Sequence, residues 1–385
     1  MAKNIFRAVS KNMVVAVNLT VALLFTLSCH GRYLFIGGFW PLTLLPIAAP
    51  YLLLVLFLFF LTWVFFQSRW LLVFPVIMLI NLGYLAHLVP FRFTAPFDQD
   101  PPQEALRIMS WNVAQFDILY DNPRPSRRDE MVALVNSFQP DIACFQEMVA
   151  GDSPVNLNNP YYRKYRFFPI QGFADELRLP GYHYSYHPGD DFLIQQHFGL
   201  AIFSRYPIVN KQKVTLEDGR YNNFFNYCDI VVGKDTLRIF NIHLQSLKFN
   251  KSNLRFIDNP TIESSGMAGK TRSILRKFKL AVWKRKKQAD RVRQEIENSP
   301  YPVIVCGDFN DVPNSYPYQT IGKGLLNGFT EKGAGIGRTF SKIAPTLRID
   351  NIFCSPRFVV QQFTRLDREL SDHYPIVADL KPRKE

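Results

Sequence analysis

Apolar residues follow two different patterns along this chain, and the pattern changes near residue 94. Before that point they form three long, nearly unbroken runs, at about 12–30, 40–66 and 70–90. A helix crossing a bilayer needs roughly 20 mostly apolar residues, so each run predicts a transmembrane span. Trp40, Trp63 and Trp70 lie near the expected span ends, where an indole suits the headgroup layer. Lys3, Arg7 and Lys11 resemble the start of a signal peptide, and Ser28-Cys29 faintly resembles a lipoprotein cleavage site. Thr26 and Leu27 fit that site poorly and two further runs follow, so residues 1–94 read as a retained, multi-pass membrane region.

After a Pro-rich stretch at 95–104, expected to be a linker, the runs become short and end in polar residues. Strand-like runs occur at 106–111, 141–145, 200–203, 237–242, 303–306, 349–353 and 371–377. Helical spacing is clearest at 127–138 and 270–298. Strands interleaved with helices and hairpins predict sheets covered on their outer faces by helices, an α+β arrangement spanning 105–382. Cys144, Cys306 and Cys354 sit inside the apolar runs and read as reduced packing residues; five Cys in 385 residues exclude a disulfide scaffold.

Charge sharpens the division. The formal net charge of +13 is unevenly spread, because residues 1–94 hold six Lys/Arg and no acid. With the N-terminus inside, Lys3, Arg7, Lys11 and Arg69 are cytoplasmic, and only Arg32 and Arg92 lie opposite. The excess of inside charge predicts a plasma (inner) membrane protein whose domain after residue 94 is extracytoplasmic, or periplasmic. A second basic zone, 248–293, sets fourteen Lys/Arg against Asp258, Glu263 and Asp290. Within its helical part, Ile274, Phe278, Ala281, Val282, Ala289, Val292 and Ile296 form one apolar stripe. The basic side chains fall largely off that stripe, and the face either is merely solvated or meets anionic lipid or nucleic acid. Lys284, Arg285, Lys286 and Lys287 are the expected contacts, with Trp283 as an interfacial anchor.

The chemistry lies where polar residues interrupt the strand-like runs. Asn112, Glu147, His243, Asp308, Asn310, Asp350, Asp372 and His373 all occur in or at the edge of one. Any one of them reads most simply as a turn or cap. Eight amide, carboxylate and imidazole groups at several strand edges predict a metal or a reacting substrate, because unpaired buried charge is costly. Oxygen donors without Cys favour a hard cation, Mg²⁺ or Mn²⁺, and that set suits phosphate-ester chemistry.

In their order these motifs resemble the endonuclease/exonuclease/phosphatase family, the deoxyribonuclease I-like superfamily. They are Ser-Trp-Asn112, Gln-Glu147, Asn-Ile-His243-Leu, Gly-Asp308-Phe-Asn310, Arg-Ile-Asp350 and Ser-Asp372-His373. The resemblance implies a four-layer α/β/β/α sandwich over 105–382, preceded here by about three transmembrane helices that lie outside it. It implies that Glu147 is the principal metal ligand, assisted by Asn112 and Asp372. Asp308 would orient or deprotonate the attacking water, with Asn310 donating to it. His373, paired with Asp350, would donate to a phosphate oxygen, and His243 would contact the phosphate or protonate the leaving group. Ala114 stands where the abasic-site branch carries Asp, and His243 where it uses Tyr. Both departures point toward His-containing nucleases and lipid or small-molecule phosphodiesterases. Asp117 reads as a solvated loop residue rather than an extra ligand. The expected function is a membrane-anchored, divalent-metal phosphodiester hydrolase, a nuclease or related phosphodiesterase. The alternatives are a phospholipid, sphingomyelin-type or phosphoinositide hydrolase, and an inactive relative serving as a tethered binding protein. The partners implied are the lipid bilayer and a phosphate-ester substrate; no protein partner is inferred.

Overall fold

The computed structural model describes residues 2–34, 39–92, 95–118, 126–151, 168–191, 197–216, 224–247 and 267–383. The part of the basic zone at 248–266 therefore lies outside the described residues. The first apolar run is one helix, α1 (Ala2–Cys29); the second is α2 (Leu45–Phe65), entered through a 3-10 turn at Trp40–Leu44. Both helices are long and apolar enough to cross a membrane. Where a third straight span was expected, the chain breaks into α3 (Val73–Ile80) and α4 (Leu82–Leu88), bent by 79°. Asn81 is the cause. Its side-chain amide turns back to the Ile77 carbonyl at 2.9 Å and across to Thr26 of α1 at 3.2 Å, while its backbone leaves helical geometry.

Residues from 106 onward build two six-stranded sheets. The first runs β11 (Phe358–Arg365), β12 (Ile376–Pro382), β1 (Leu106–Asn112), β2 (Ile142–Ala150), β4 (His197–Ser204), β3 (Gly181–Asp191). The second runs β5 (Ile208–Thr215), β6 (Phe224–Val232), β7 (Asp235–His243), β8 (Val303–Asp308), β10 (Asp350–Cys354), β9 (Leu326–Asn327). Alternation along each strand sends side chains to opposite faces, and here both faces are covered. Ile108, Cys144, Ile239 and Cys306 fill the space between the sheets. Met109, Trp111 and Phe145 point outward under α5 (Arg128–Phe138) and α6 (Ile170–Glu176). Phe240, Val303 and Val305 point outward under α7 (Met267–Glu297) and α8 (Tyr316–Ile321). Helix, sheet, sheet and helix thus form the four expected layers.

Two differences from the sequence pattern have simple causes. The run expected as a strand over 371–377 becomes one only at Ile376, because Ser371–Pro375 turns toward the strand ends and Pro375 has no N–H to give a ladder. The Pro-rich stretch is clamped in place. Asp98 exchanges two 2.9 Å hydrogen bonds with Gln362, and Arg107, paired with Asp379 at 2.7 Å, donates to the Asp98 carbonyl.

The sheets are joined by amides as well as by hydrocarbon. Asn241 of β7 is fully buried and donates to the Phe145 and Ala201 carbonyls of the other sheet at 3.0 and 2.9 Å. Its oxygen accepts from Gln146 at 2.7 Å. We expect Asn241→Ala to strip partners from two buried carbonyls and one amide and to cost about 3 kcal/mol. Denaturant unfolding of the full chain would read this, and a loss below about 0.5 kcal/mol would show that the bridge is dispensable.

Candidate active site

Strand register alone brings the polar residues to one end of the sandwich. β1 and β2 are parallel, with Asn112 opposite Gln146, so Asn112 and Glu147 leave their strands together. β7 and β8 are also parallel, with His243 opposite Asp308, and antiparallel β10 sets Asp350 opposite Asp308. β12 pairs with β1 from Ser110 to Leu106, so His373, just before β12, lies over the same end. The close approach of β7 and β8 depends on Gly307: at φ 143° its missing Cβ would sit 1.9 Å from the Ile242 carbonyl oxygen.

Asp308 is at the centre. Its Oδ1 accepts from the Asn310 backbone N–H at 2.7 Å, and its Oδ2 accepts from the side-chain amides of Asn310 at 3.1 Å and Asn112 at 3.2 Å. Nε2 of His243 and of His373 approach the same Oδ2 to 3.6 and 3.7 Å. Burial pushes the Asp308 carboxyl up to about 7, with Asp350 adding to the rise and His373 and the two Asn opposing it. Burial opposes charge on His373, but Asp350, at 2.9 Å from Nδ1, and Asp308 together raise it to about 10, so the ring is an imidazolium near neutrality. The bond to Asp350 leaves Nε2 as the nitrogen facing the cleft.

Glu147 sits at a break in the β2 register between Phe145 and Met148, with φ 52°, and keeps 28% of its side chain accessible. A bulge of this kind re-aims a side chain that regular pairing would hold against the sheet. Asn310, at φ 50°, and the run Ala114–Asp117 are also left-handed, so strained backbone surrounds the cleft. Burial and the neighbouring Asp372 raise the Glu147 carboxyl, while His373 and a hydrogen bond from Asn112 draw it down. Glu147 therefore sits between a like charge, Asp372, and groups that offset it only in part, His373 and the Asn112 amide. Neighbouring carboxylate oxygens are the donors a hard divalent cation takes, and Glu147 and Asp372 supply two such groups. Among the described residues, the trio whose ligand atoms lie within 4.8 Å of one another is Asp308, Asp350 and His373. That trio is a poorer cation site, because His373 already supplies its positive charge and Nδ1 is engaged by Asp350.

Sequence reasoning missed the supports. The Trp111 indole donates to the His373 carbonyl at 2.9 Å, and Ser371 Oγ donates to the Asn112 carbonyl at 2.8 Å, tying the β12 approach to β1. Thr339 Oγ1 accepts from the N–H groups of Ile349 and Asp350, at 2.9 and 3.0 Å. Arg285 corrects an expectation: it is buried, pairs with Asp311 at 3.1 Å and donates to the Asn310 carbonyl at 2.6 Å. Gln288, one turn on, accepts from the Gln245 N–H at 2.8 Å, so α7 holds both the His243 and the Asn310 loops. A signal was available, since Arg285 lies four residues after Ala281 and seven before Val292, in phase with the apolar stripe. Asp117 is likewise buried rather than solvated, its carboxylate accepting from the Arg127 N–H at 2.9 Å at the start of α5.

The endonuclease/exonuclease/phosphatase family model matches residues 109–373, and a domain of unknown function (DUF8431) matches residues 11–88. An endonuclease/exonuclease/phosphatase from Beutenbergia cavernae has the same fold, with a TM-score of 0.51 at 20% identity, covering 73% of this chain and 72% of that one. A humanized TDP2 from D. rerio aligns with a TM-score of 0.47 at 17% identity, over 72% of this chain and all of that one. The human nocturnin catalytic domain aligns with a TM-score of 0.46 at 17% identity, over 74% of this chain and 97% of that one. No match to a curated protein sequence is found. With more than half of its length matched, the chain belongs to the endonuclease/exonuclease/phosphatase family of phosphate-ester hydrolases.

Proposed function

We propose that this protein is a membrane-anchored, divalent-metal-dependent phosphodiesterase. The carrying observation is the convergence on Asp308 of two imidazoles and two amides beside the Glu147–Asp372 pair. In this reading Asp308, poised near neutrality, takes the proton of a water whose oxygen forms the new bond to phosphorus. Asn310 orients that water, and the His373 imidazolium, held by Asp350, donates to a non-bridging oxygen. The bond from phosphorus to the leaving oxygen breaks, and His243 supplies the proton that oxygen needs. Glu147, Asn112 and Asp372 would hold Mg²⁺ or Mn²⁺, which when bound would polarise the phosphoryl oxygens.

Glu147→Ala is expected to lower turnover by about 10³-fold, as removal of a principal electrostatic element does. Mg²⁺ should raise the melting temperature of the wild type but not of the variant. Full activity in EDTA would sink the metal reading. His243 and Asp308 should differ in kind. Asp308→Asn should slow every substrate, because the water is common to all of them. His243→Gln should be milder on a nitrophenyl diester, whose leaving group needs no proton. Equal losses on activated and unactivated esters would leave His243 as a phosphate binder.

The membrane location rests on α1 and α2 and on how the domain meets their ends. Gln319 donates to the Cys29 carbonyl at 3.0 Å, Asn314 to the Tyr84 carbonyl at 3.1 Å, and the buried Arg348 guanidinium to the His87 carbonyl. A Cβ at Gly31 would stand 2.2 Å from the Asn314 oxygen, so only glycine allows that approach. The domain thus touches the end of α1, the start of α2 and α4. If α3 and α4 together return to the side α1 leads to, the domain lies opposite the N-terminus, extracytoplasmic by the charge count. Reporters fused after residue 383 should read out as active alkaline phosphatase and dark green fluorescent protein. The reverse pattern would place the substrates in the cytoplasm.

A further inference from the structure

The domain-facing and solvent-facing sides of α7 do different things. Its second half is built into the domain, with Ala289 and Val292 fully buried and Arg285 and Gln288 holding the two catalytic loops. The opposite side is exposed, and at 100° per residue it collects Arg272, Arg276, Lys279, Leu280, Trp283 and Lys287 on one strip. Leu280 is 53% and Trp283 38% accessible, unusual for large apolar side chains beside so many cations. The same helix packs against Trp40–Leu44, the turn that leads into α2.

We infer that this strip is a docking surface for anionic phospholipid headgroups, with Leu280 and Trp283 entering the interface and the basic residues meeting lipid phosphates. Continuity decides the occupant. The turn at Trp40–Leu44 stands at the membrane edge if α2 crosses the bilayer, and the helix beside it arrives with apolar and cationic groups interleaved, the composition of interfacial helices. Nucleic acid needs the cations but has no use for an exposed Leu280. The inference rests on the membrane reading of α1 and α2. It also names a consequence for the site: the helix lying on lipid is the one whose Arg285 grips the Asn310 loop, so headgroup contact sets how the cleft faces the membrane.

All five native cysteines are buried, so Leu280→Cys places a single accessible thiol on the strip. The test is the full chain in nanodiscs, carrying an environment-sensitive fluorophore there, with nitroxide-labelled lipid as quencher. Three basic side chains at an anionic surface favour the docked state by roughly 100-fold over a neutral one. The label should be quenched in discs containing phosphatidylglycerol, unquenched in pure phosphatidylcholine, and released by combining R272E, R276E and K279E. Equal signals in the two discs overturn the inference. A label that responds only to a DNA duplex, and in a salt-sensitive way, overturns it in favour of nucleic acid. Protein that stays soluble without detergent and does not enter discs would instead overturn the membrane reading itself.

Discussion

Four carboxylates converge on one end of this sandwich, and their mutual repulsion is the constraint around which the site is arranged. Asp308 and Asp350 stand opposite each other in the β8–β10 register, so their proximity is imposed by backbone pairing and cannot relax by a rotamer change alone. The His373 imidazolium offsets that pair from one side, while the Asn112 and Asn310 amides supply donors without adding charge. Glu147 has less internal compensation, with Asp372 beside it. The balance is therefore unequal: Asp308 has an imidazolium and two amides around it, whereas Glu147 shares that imidazolium and one amide while facing Asp372.

That inequality explains why two different cation sites can be drawn through the same residues. Proximity of ligand atoms favours Asp308, Asp350 and His373. Charge accounting favours Glu147, because a protonated imidazole repels a metal ion and Nδ1 is already donating to a carboxylate. Distance says which groups can share an ion; only the protonation state says which of them need one.

Much of the candidate site was legible because its polar residues interrupt runs that are otherwise fully buried, and such interruptions stand out. Asn112, Asp308 and Asp350 are of this kind, and β1, β8 and β10 are buried along their whole length. Strands such as β5 were not legible: Asn210, Lys211, Gln212 and Lys213 make it polar, as an edge strand must be to avoid pairing with another chain. The buried Arg285 was hidden in a basic run, since what distinguishes it from Lys284 and Lys286 is helical phase toward a loop some 25 residues away. The kink at Asn81 escaped because hydropathy measures length and composition and does not register one amide able to bond backward and sideways at once.

The position of β12 carries a consequence for how the protein is made. Among the described residues β1 is the first strand and follows the apolar N-terminal helices, yet its antiparallel neighbour is β12, the last strand. While the ribosome is still translating residues 151–375, β1 can have β2 on one side but keeps an open edge on the other. Asn112 meanwhile lacks the Ser371 hydroxyl that caps its carbonyl in the finished fold. The N-terminal helices emerge early, but the cleft can close only after residue 382 has emerged. Nascent chains thus carry an unpaired β1 edge until synthesis is nearly complete, and the hydrolase fold closes late in its own production.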